Sequence, residues 1–348
     1  MLSQSHLYRE IHEQPDVLRR FLTEADAATR ALAATVRERE IRFVIIAARG
    51  TSDNAGRYAK YVLGARNGMP VGLAAPSLFT VYQQPPRLAQ SLVLGISQSG
   101  RSPDLIAVLR EARRQGALTA ALTNAPEGEL AQEAEHIVPL YAGVEKSVAA
   151  TKSYTAELAA VALLSAHLRQ DEEALTALRA IPDAVATTLE MEAAIAAVAP
   201  RYRYMERCVV IGRGFNYATA FEMALKLKEL TYTVVEPYSS ADFLHGPLAL
   251  LETGFPVVLL APQGAMTPQL REFAGTVRGR GAELIAISDD EAILGQARIP
   301  LALPQSVPEW LSPLTAIVPG QLLAMHLAAT RDYDVDAPRA LQKVTETA

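Results

Sequence analysis

The sequence predicts an α/β chain made of two tandem, doubly wound parallel-sheet domains, each a three-layer α-β-α sandwich. Three observations carry that prediction. The first is an internal repeat. FVIIAARG ends at Gly50 and CVVIGRG at Gly214, while LVLGISQSG ends at Gly100 and PVVLLAPQG at Gly264, both pairs 164 residues apart. RRQGALTAALTN aligns with RGRGAELIAISD through Gly116 and Gly281, and TAELAAVALLSAHL aligns with PGQLLAMHLAAT through Glu157 and Gln321. Self-similarity in one register marks repeated structural units. The second is the alternation of short apolar runs, glycine turns and helical patterns, which predicts parallel strands with crossover helices. The third is length: 348 residues suit two domains better than one.

Taken in order, residues 1–40 read as a helical segment interrupted at Gln14-Pro15. The first copy, 41–168, carries strands over 43–48, 92–96 and 118–122, continuous apolar runs of the kind buried on both sheet faces. SPDLIAVLREARRQG reads as a helix, with Ser102 or Asp104 as its cap and Gly116 at its stop. An Ala/Glu/Leu-rich helical stretch, 169–200, links to the second copy, 201–335, with strands over 208–212, 256–261 and 283–288. A tail, 336–348, follows.

Composition narrows the function. Half the residues are hydrophobic and the net charge is −5, so broad neutralisation of nucleic-acid phosphates is not expected. The lone cysteine, Cys208, lies in an apolar run and reads as core, which leaves no intrachain disulfide and no Cys-based metal cluster. The N-terminus lacks the layout of a signal peptide and no apolar run approaches the length of a membrane span. A reducing, cytoplasmic setting is the expectation, with neither nucleic acid nor membrane as partner.

The chemistry concentrates in loops after the strands. Gly50-Thr51-Ser52 follows the first strand and Ser97-Gln98-Ser99-Gly100-Arg101-Ser102 the second; VAATKSYT, 148–155, offers Thr151, Lys152 and Ser153 where another helix begins. Small residues let backbone wrap closely around an anion, and helix-start amides with hydroxyls supply donors. Any one such loop serves equally as a turn or cap; three at equivalent strand ends favour a phosphomonoester. The second copy has lost the hydroxyls, GRGFN replacing ARGTS and APQGAM replacing SQSGRS, so the copies are expected to do different things.

In ATAFEMALKLKELTY, Glu222, Lys226 and Glu229 fall at i, i+4 and i+7 and form one polar stripe. From the pattern alone this reads better as a solvated face stapled by a Glu–Lys pair. His245, in DFLHGPLAL, stands in a loop constrained by Gly-Pro; His167 and His326 lie on apolar helices and read as packing. Lys343 in the tail would ordinarily be solvated. No His/carboxylate set has metal-ligand spacing, and neither metal nor organic cofactor is expected.

GTS, SQSG, VAATK, the EMALKLKE helix, LHGPLAL and DAPRALQK, in this order, resemble the isomerase domain of glucosamine-6-phosphate synthase, the tandem sugar-isomerase (SIS) architecture. The similarity runs from about REIHEQPDVL to the C-terminus. The resemblance implies a sugar phosphate as ligand and a phosphate cradle of Ser52, Ser97, Gln98, Ser99 and Ser102. Gly50 and Thr51 would lie beside it, and backbone near Val148 and Ala150 would contact the sugar, although the family often has serine at position 150. It further implies that Glu229 shuttles a proton between C1 and C2 and that Lys226 assists at a neighbouring hydroxyl. Lys343, in a tail that contributes to the active site, would form an imine with the keto sugar. His245 would open the ring from a neighbouring subunit, hence a homodimer.

That chemistry suits the residue types. One carboxylate can serve both carbons if burial moves its pKa toward neutrality, histidine exchanges protons near pH 7, and a lysine amine makes the imine. The synthases begin with a glutaminase domain, whereas a chain starting at Met1-Leu2-Ser3 is expected to lack it. SQSGRSPD also looks closer to freestanding members, since synthases tend to be acidic where Arg101 stands. The expected reaction is therefore isomerising deamination of glucosamine 6-phosphate to fructose 6-phosphate and ammonia. A fructosamine-6-phosphate deglycase, an ammonia-dependent synthase and a non-catalytic sugar-phosphate regulator are the alternatives. Retention of Glu229, His245 and Lys343, with no helix-turn-helix ahead of them, favours catalysis.

Overall fold

The computed structural model describes residues 2–343, which group into two units. Among the described residues, the first unit comprises Asp16–Glu145, Lys152–Arg179 and Gln342–Lys343; the second comprises Leu2–Pro15, Lys146–Thr151 and Ala180–Leu341.

The first unit holds a five-stranded, all-parallel sheet of β1 (Phe43–Ala47), β2 (Val71–Leu73), β3 (Ser91–Ser97), β4 (Leu118–Thr123) and β5 (His136–Pro139), in the order β2-β1-β3-β4-β5. Every residue of β3 and β4 is buried, as both-face coverage requires. The helix Gly50–Asn67 leaves β1 toward one face, where Ile46 packs on Gly56. The helix Pro103–Arg114 leaves β3 toward the other, packing Leu105, Val108 and Leu109 on Val93 and Ala121. Because β1 and β3 are neighbours whose crossovers depart in opposite directions, a crevice opens at their carboxyl ends, the switch point where ligands of such sheets bind.

The second unit repeats this design with β6 (Arg207–Gly212), β7 (Val234–Ser239), β8 (Pro256–Ala261), β9 (Glu283–Ser288) and β10 (Ile299–Ala302), in the order β10-β9-β8-β6-β7. Val209, Ile211, Val257 and Leu259 pack against Leu270, Phe273 and Val277 of the helix Thr267–Gly279. The opposite face carries Cys208, buried as expected, its thiol pushed up to about 12 by burial.

Sequence patterning finds three strands per copy; the structure has five. The additional four, β2, β5, β7 and β10, are all sheet edges. They are only partly buried, and two are interrupted by proline, Pro237 in β7 and Pro300 in β10, so none forms a continuous apolar run. The 169–200 stretch is helical over Glu172–Arg179, Ile181–Leu189 and Glu192–Val198. The helical segment Glu309–Thr330 is long and apolar enough to cross a membrane by length and composition, yet 16 of the 19 residues of its α-helix Ser312–Thr330 are buried.

Two histidine readings need correction. His167 and His326 are not apolar packing: their Nε2 atoms bond Asp26 at 2.9 Å and Glu192 at 3.0 Å, and Glu192 also meets His12 at 3.1 Å. His167 is buried and His326 half-buried, and imidazoles so placed need such partners for their ring nitrogens.

Candidate functional site

In the first unit the switch-point loops carry the expected hydroxyls. Gly50 opens its helix at φ +53° and Gly100 turns the second loop at φ +64°, backbone regions where a side chain is strained. Ser97 Oγ accepts the Gly100 N–H at 3.1 Å and keeps its own proton to donate. Ser99 Oγ accepts the Arg101 N–H at 3.4 Å. Ser102 is the N-cap of Pro103–Arg114, but its hydroxyl makes no cap bond, and Pro103 removes the first N–H. The Gln98 side chain is half-buried and hydrogen-bonded to nothing among the described residues. Ser52 differs: it is buried and donates to Glu157 at 2.7 Å, so receiving a phosphate there requires its proton to turn. Thr51 lies beside it, half-buried, in the first helical turn.

Two residues that sequence reasoning passed over or misplaced brace this crevice. Asp104, read there as a helix cap, is buried and takes Arg49 Nε at 2.8 Å and Nη2 at 2.7 Å. The pair ties the residue before Gly50 to the first turn of the helix after β3, neutralising a carboxylate that would otherwise repel an anion. The only sequence signal for it was an arginine directly before the glycine turn.

The third loop is not the open hydroxyl loop expected. Thr151, Lys152 and Ser153 are all buried, and Lys152 Nζ donates to the Val144 carbonyl at 2.8 Å. Ser153 spends its N–H and Oγ on Glu145, at 3.1 and 2.7 Å. Val148 and Ala150 belong to the second unit, whose Glu10 carboxylate accepts the amides of Lys146 and Ser147 from the same loop.

In the second unit the Glu222–Lys226–Glu229 stripe is not a solvated face. The helix Asn216–Thr231 packs one side on β6 and another on Ser312–Thr330, where Gly320 admits Met223. Lys226 is 1% exposed, with Glu222 at 3.3 Å and Glu229 at 2.6 Å; Glu222 is fully buried, while Glu229 keeps 21% of its side chain exposed. Burial works against the Lys226 charge, but the two carboxylates outweigh it and hold the ammonium's pKa above its ordinary value. The result is a carboxylate fixed by a buried cation yet open on one side. His245 caps the short helix Ser240–Leu244 and is exposed, ahead of Gly246 at φ +127°.

The second unit's own switch point is filled from within. Glu309 Oε2 accepts the Ala265 N–H at 2.8 Å, and its side chain lies so close to Gly264 that a Cβ there would sit 2.1 Å from it. A carboxylate of the chain thus occupies the loop that corresponds to SQSG in the first copy.

Lys343 is no free terminal lysine either: its Nζ bonds Glu145 Oε2 at 2.9 Å, both in the first unit. Residues 344–348 of the tail lie outside the described residues. Among the described residues no three His, Cys, Asp or Glu side chains are grouped to hold a metal ion.

Fold and site define a tandem doubly wound α/β protein with one polar and one self-occupied switch point. The chain belongs to the SIS domain family, which it matches over residues 39–166 and 203–331. It is 36% identical, over 97% of its length, to a glutamine–fructose-6-phosphate aminotransferase (isomerizing) from Thermus thermophilus, of which it spans 58%. A crystal structure of a putative phosphosugar isomerase from Silicibacter pomeroyi superposes with a TM-score of 0.86 at 34% identity, covering 95% of this chain and all of that one. The C-terminal domain of a glucosamine-fructose-6-phosphate aminotransferase from Francisella tularensis superposes at 0.85, with 28% identity, covering 96% and 98% of the two chains.

Proposed function

We propose that this protein is an amino-sugar phosphate isomerase that deaminates glucosamine 6-phosphate to fructose 6-phosphate and ammonia. The observation that carries the reading is Glu229, held by the buried Lys226 and still open on one side. Such a carboxylate can take the C2 proton of the open-chain sugar and return it at C1, leaving an imine at C2. His245 opens the ring beforehand, and its exposure suits the role expected of it across a homodimer interface. Lys343 displaces ammonia from C2 by forming its own imine, which water then hydrolyses to the ketose. The phosphate is carried by Ser97, Gln98, Ser99 and Ser102, with Gly50, Thr51 and Ser52 beside them and the backbone of Val148 and Ala150 toward the sugar. Action as a cytoplasmic homodimer, without cofactor, belongs to the same proposal.

The chain's likeness to aminotransferases favours a second reading, ammonia-dependent synthesis, in which the same residues run the reaction backward. The test is ammonia release from glucosamine 6-phosphate with fructose 6-phosphate followed by a coupled assay. Stoichiometric appearance of both products is expected, and Glu229→Gln should abolish turnover while sugar-phosphate binding persists. Product formation from fructose 6-phosphate and ammonia alone would support the second reading. Neither reaction, with binding intact, would reject both and point to a deglycase or a regulator.

A further inference from the structure

Glu145 is a fully buried carboxylate to which the reading above gives no role. It closes the stretch before the 146–151 loop and is bonded within the first unit by Ser153 and by Lys343. The Ser153 N–H donates to Oε1 at 3.1 Å, Ser153 Oγ to Oε2 at 2.7 Å, and Lys343 Nζ to Oε2 at 2.9 Å. A buried carboxylate is stable only when its oxygens are met in this way. The two serine bonds fix its plane, and the oxygen facing Lys343 is fixed with it. Attack on a carbon by Lys343 requires the neutral amine, so one proton must leave Nζ as the bond forms. Among the described residues the group bonded to that nitrogen is Glu145.

We propose that Glu145 is the proton acceptor for Lys343. This rests on the imine role given to Lys343 above. Oε2 takes one proton from the Lys343 ammonium, and the neutral amine forms a bond to C2 of the sugar imine. Glu145 returns that proton to the departing nitrogen, which takes a second from the attacking, now cationic, lysine nitrogen; the C2–N bond to it breaks, and ammonia leaves. Four hydrogens and one positive charge, shared at the outset between the ammonium and the sugar imine, end as three on ammonia and one on the protonated lysine imine. With fructose 6-phosphate as the partner, the same proton goes to the carbinolamine oxygen, which leaves as water.

The test is borohydride trapping on fructose 6-phosphate, quenched at intervals between pH 6.5 and pH 9.5 (roughly the span between unperturbed His and Lys titration). The Lys343 adduct is quantified by peptide mass spectrometry. Glu145→Gln is expected to slow adduct formation by about 10²-fold at neutral pH, the size of a lost general base, and to recover as hydroxide takes over the deprotonation. Glu145→Asp, which keeps a carboxylate, is expected to restore part of the rate and a flat profile. If E145Q does not fold, Ser153→Ala, which frees the carboxylate from one tether, should show a smaller loss that also shrinks with rising pH. Trapping at the wild-type rate in E145Q, or a loss independent of pH, would overturn the proposal. Lys343→Arg separates the two levels: persistent sugar labelling in that variant would remove the imine role itself.

Discussion

Lys226 shows at the scale of one residue why a surface reading of a helical stripe fails. An i, i+4, i+7 pattern of Glu, Lys and Glu is common on solvated helices, where such a pair contributes a few tenths of a kcal/mol. Here the cation has 1% exposure and two carboxylate neighbours. Removing it leaves Glu222 fully buried without its counter-charge. Lys226→Met is therefore expected to cost about 3–5 kcal/mol of stability, the typical penalty for breaking a buried ion pair. Urea unfolding midpoints would check it, and an unchanged midpoint would mean that the triad relaxes into solvent. The same distinction applies to the tail, where Lys343 looks solvated in sequence only because Glu145 stands 198 residues away. Ser97, Ser99 and Ser102 were legible, because glycine turns after apolar strands announce themselves.

At the scale of elements, the close fit of strand ends to helix starts decides what each switch point can hold. A Cβ on Gly212 would lie 2.2 Å from the Asn216 carbonyl oxygen, which is backbone and cannot turn aside. Gly212→Ala is expected to destabilise by at least the roughly 1–3 kcal/mol typical of overpacking, and the thermal midpoint should fall accordingly. Gly264→Ala makes a useful contrast, since the obstacle there is the movable Glu309 side chain. The helix Glu291–Leu294 depends on charge as well. Asp290, its cap, is held below the usual carboxylate range first by Arg271, at 3.0 and 2.5 Å, and then by the Ile293 amide. A depressed folded-state pKa gives stability that is present above the unfolded value near 4 and lost as pH falls through the folded value. Arg271→Ala should thus lower the urea midpoint at pH 7, with a smaller difference from wild type at pH 3. An equal difference at both pH values would count against the linkage.

For the whole molecule, the two units share one strand order but divide the chemistry. The first lines its switch point with hydroxyls, whereas the second fills the equivalent loop with Glu309 and carries the Glu229 carboxylate on a helix. If His245 acts from a neighbouring subunit, mixing inactive Glu229→Gln and His245→Asn chains should restore activity. Up to one quarter of wild-type activity per chain is expected, because a statistical mixture makes half its dimers mixed and each has one intact site. No restoration on mixing, with subunit exchange verified by mass, would place His245 and Glu229 of one chain in the same site.

By itself the sequence determined the repeat, the parallel doubly wound sheets, the central strands and the loops that hold the hydroxyls. These follow from local periodicity and from glycines whose backbone angles no other residue adopts at ease. Edge strands escaped because half-exposed, proline-bearing segments leave no continuous apolar run. Only the tertiary structure decided which charges are buried. It sank Lys226 between Glu222 and Glu229, paired Arg49 with Asp104 and Lys343 with Glu145, and closed the second switch point with Glu309. Burial and pairing belong to residues far apart in the chain, and the dielectric and neighbours that set a charge's behaviour exist only once those residues meet.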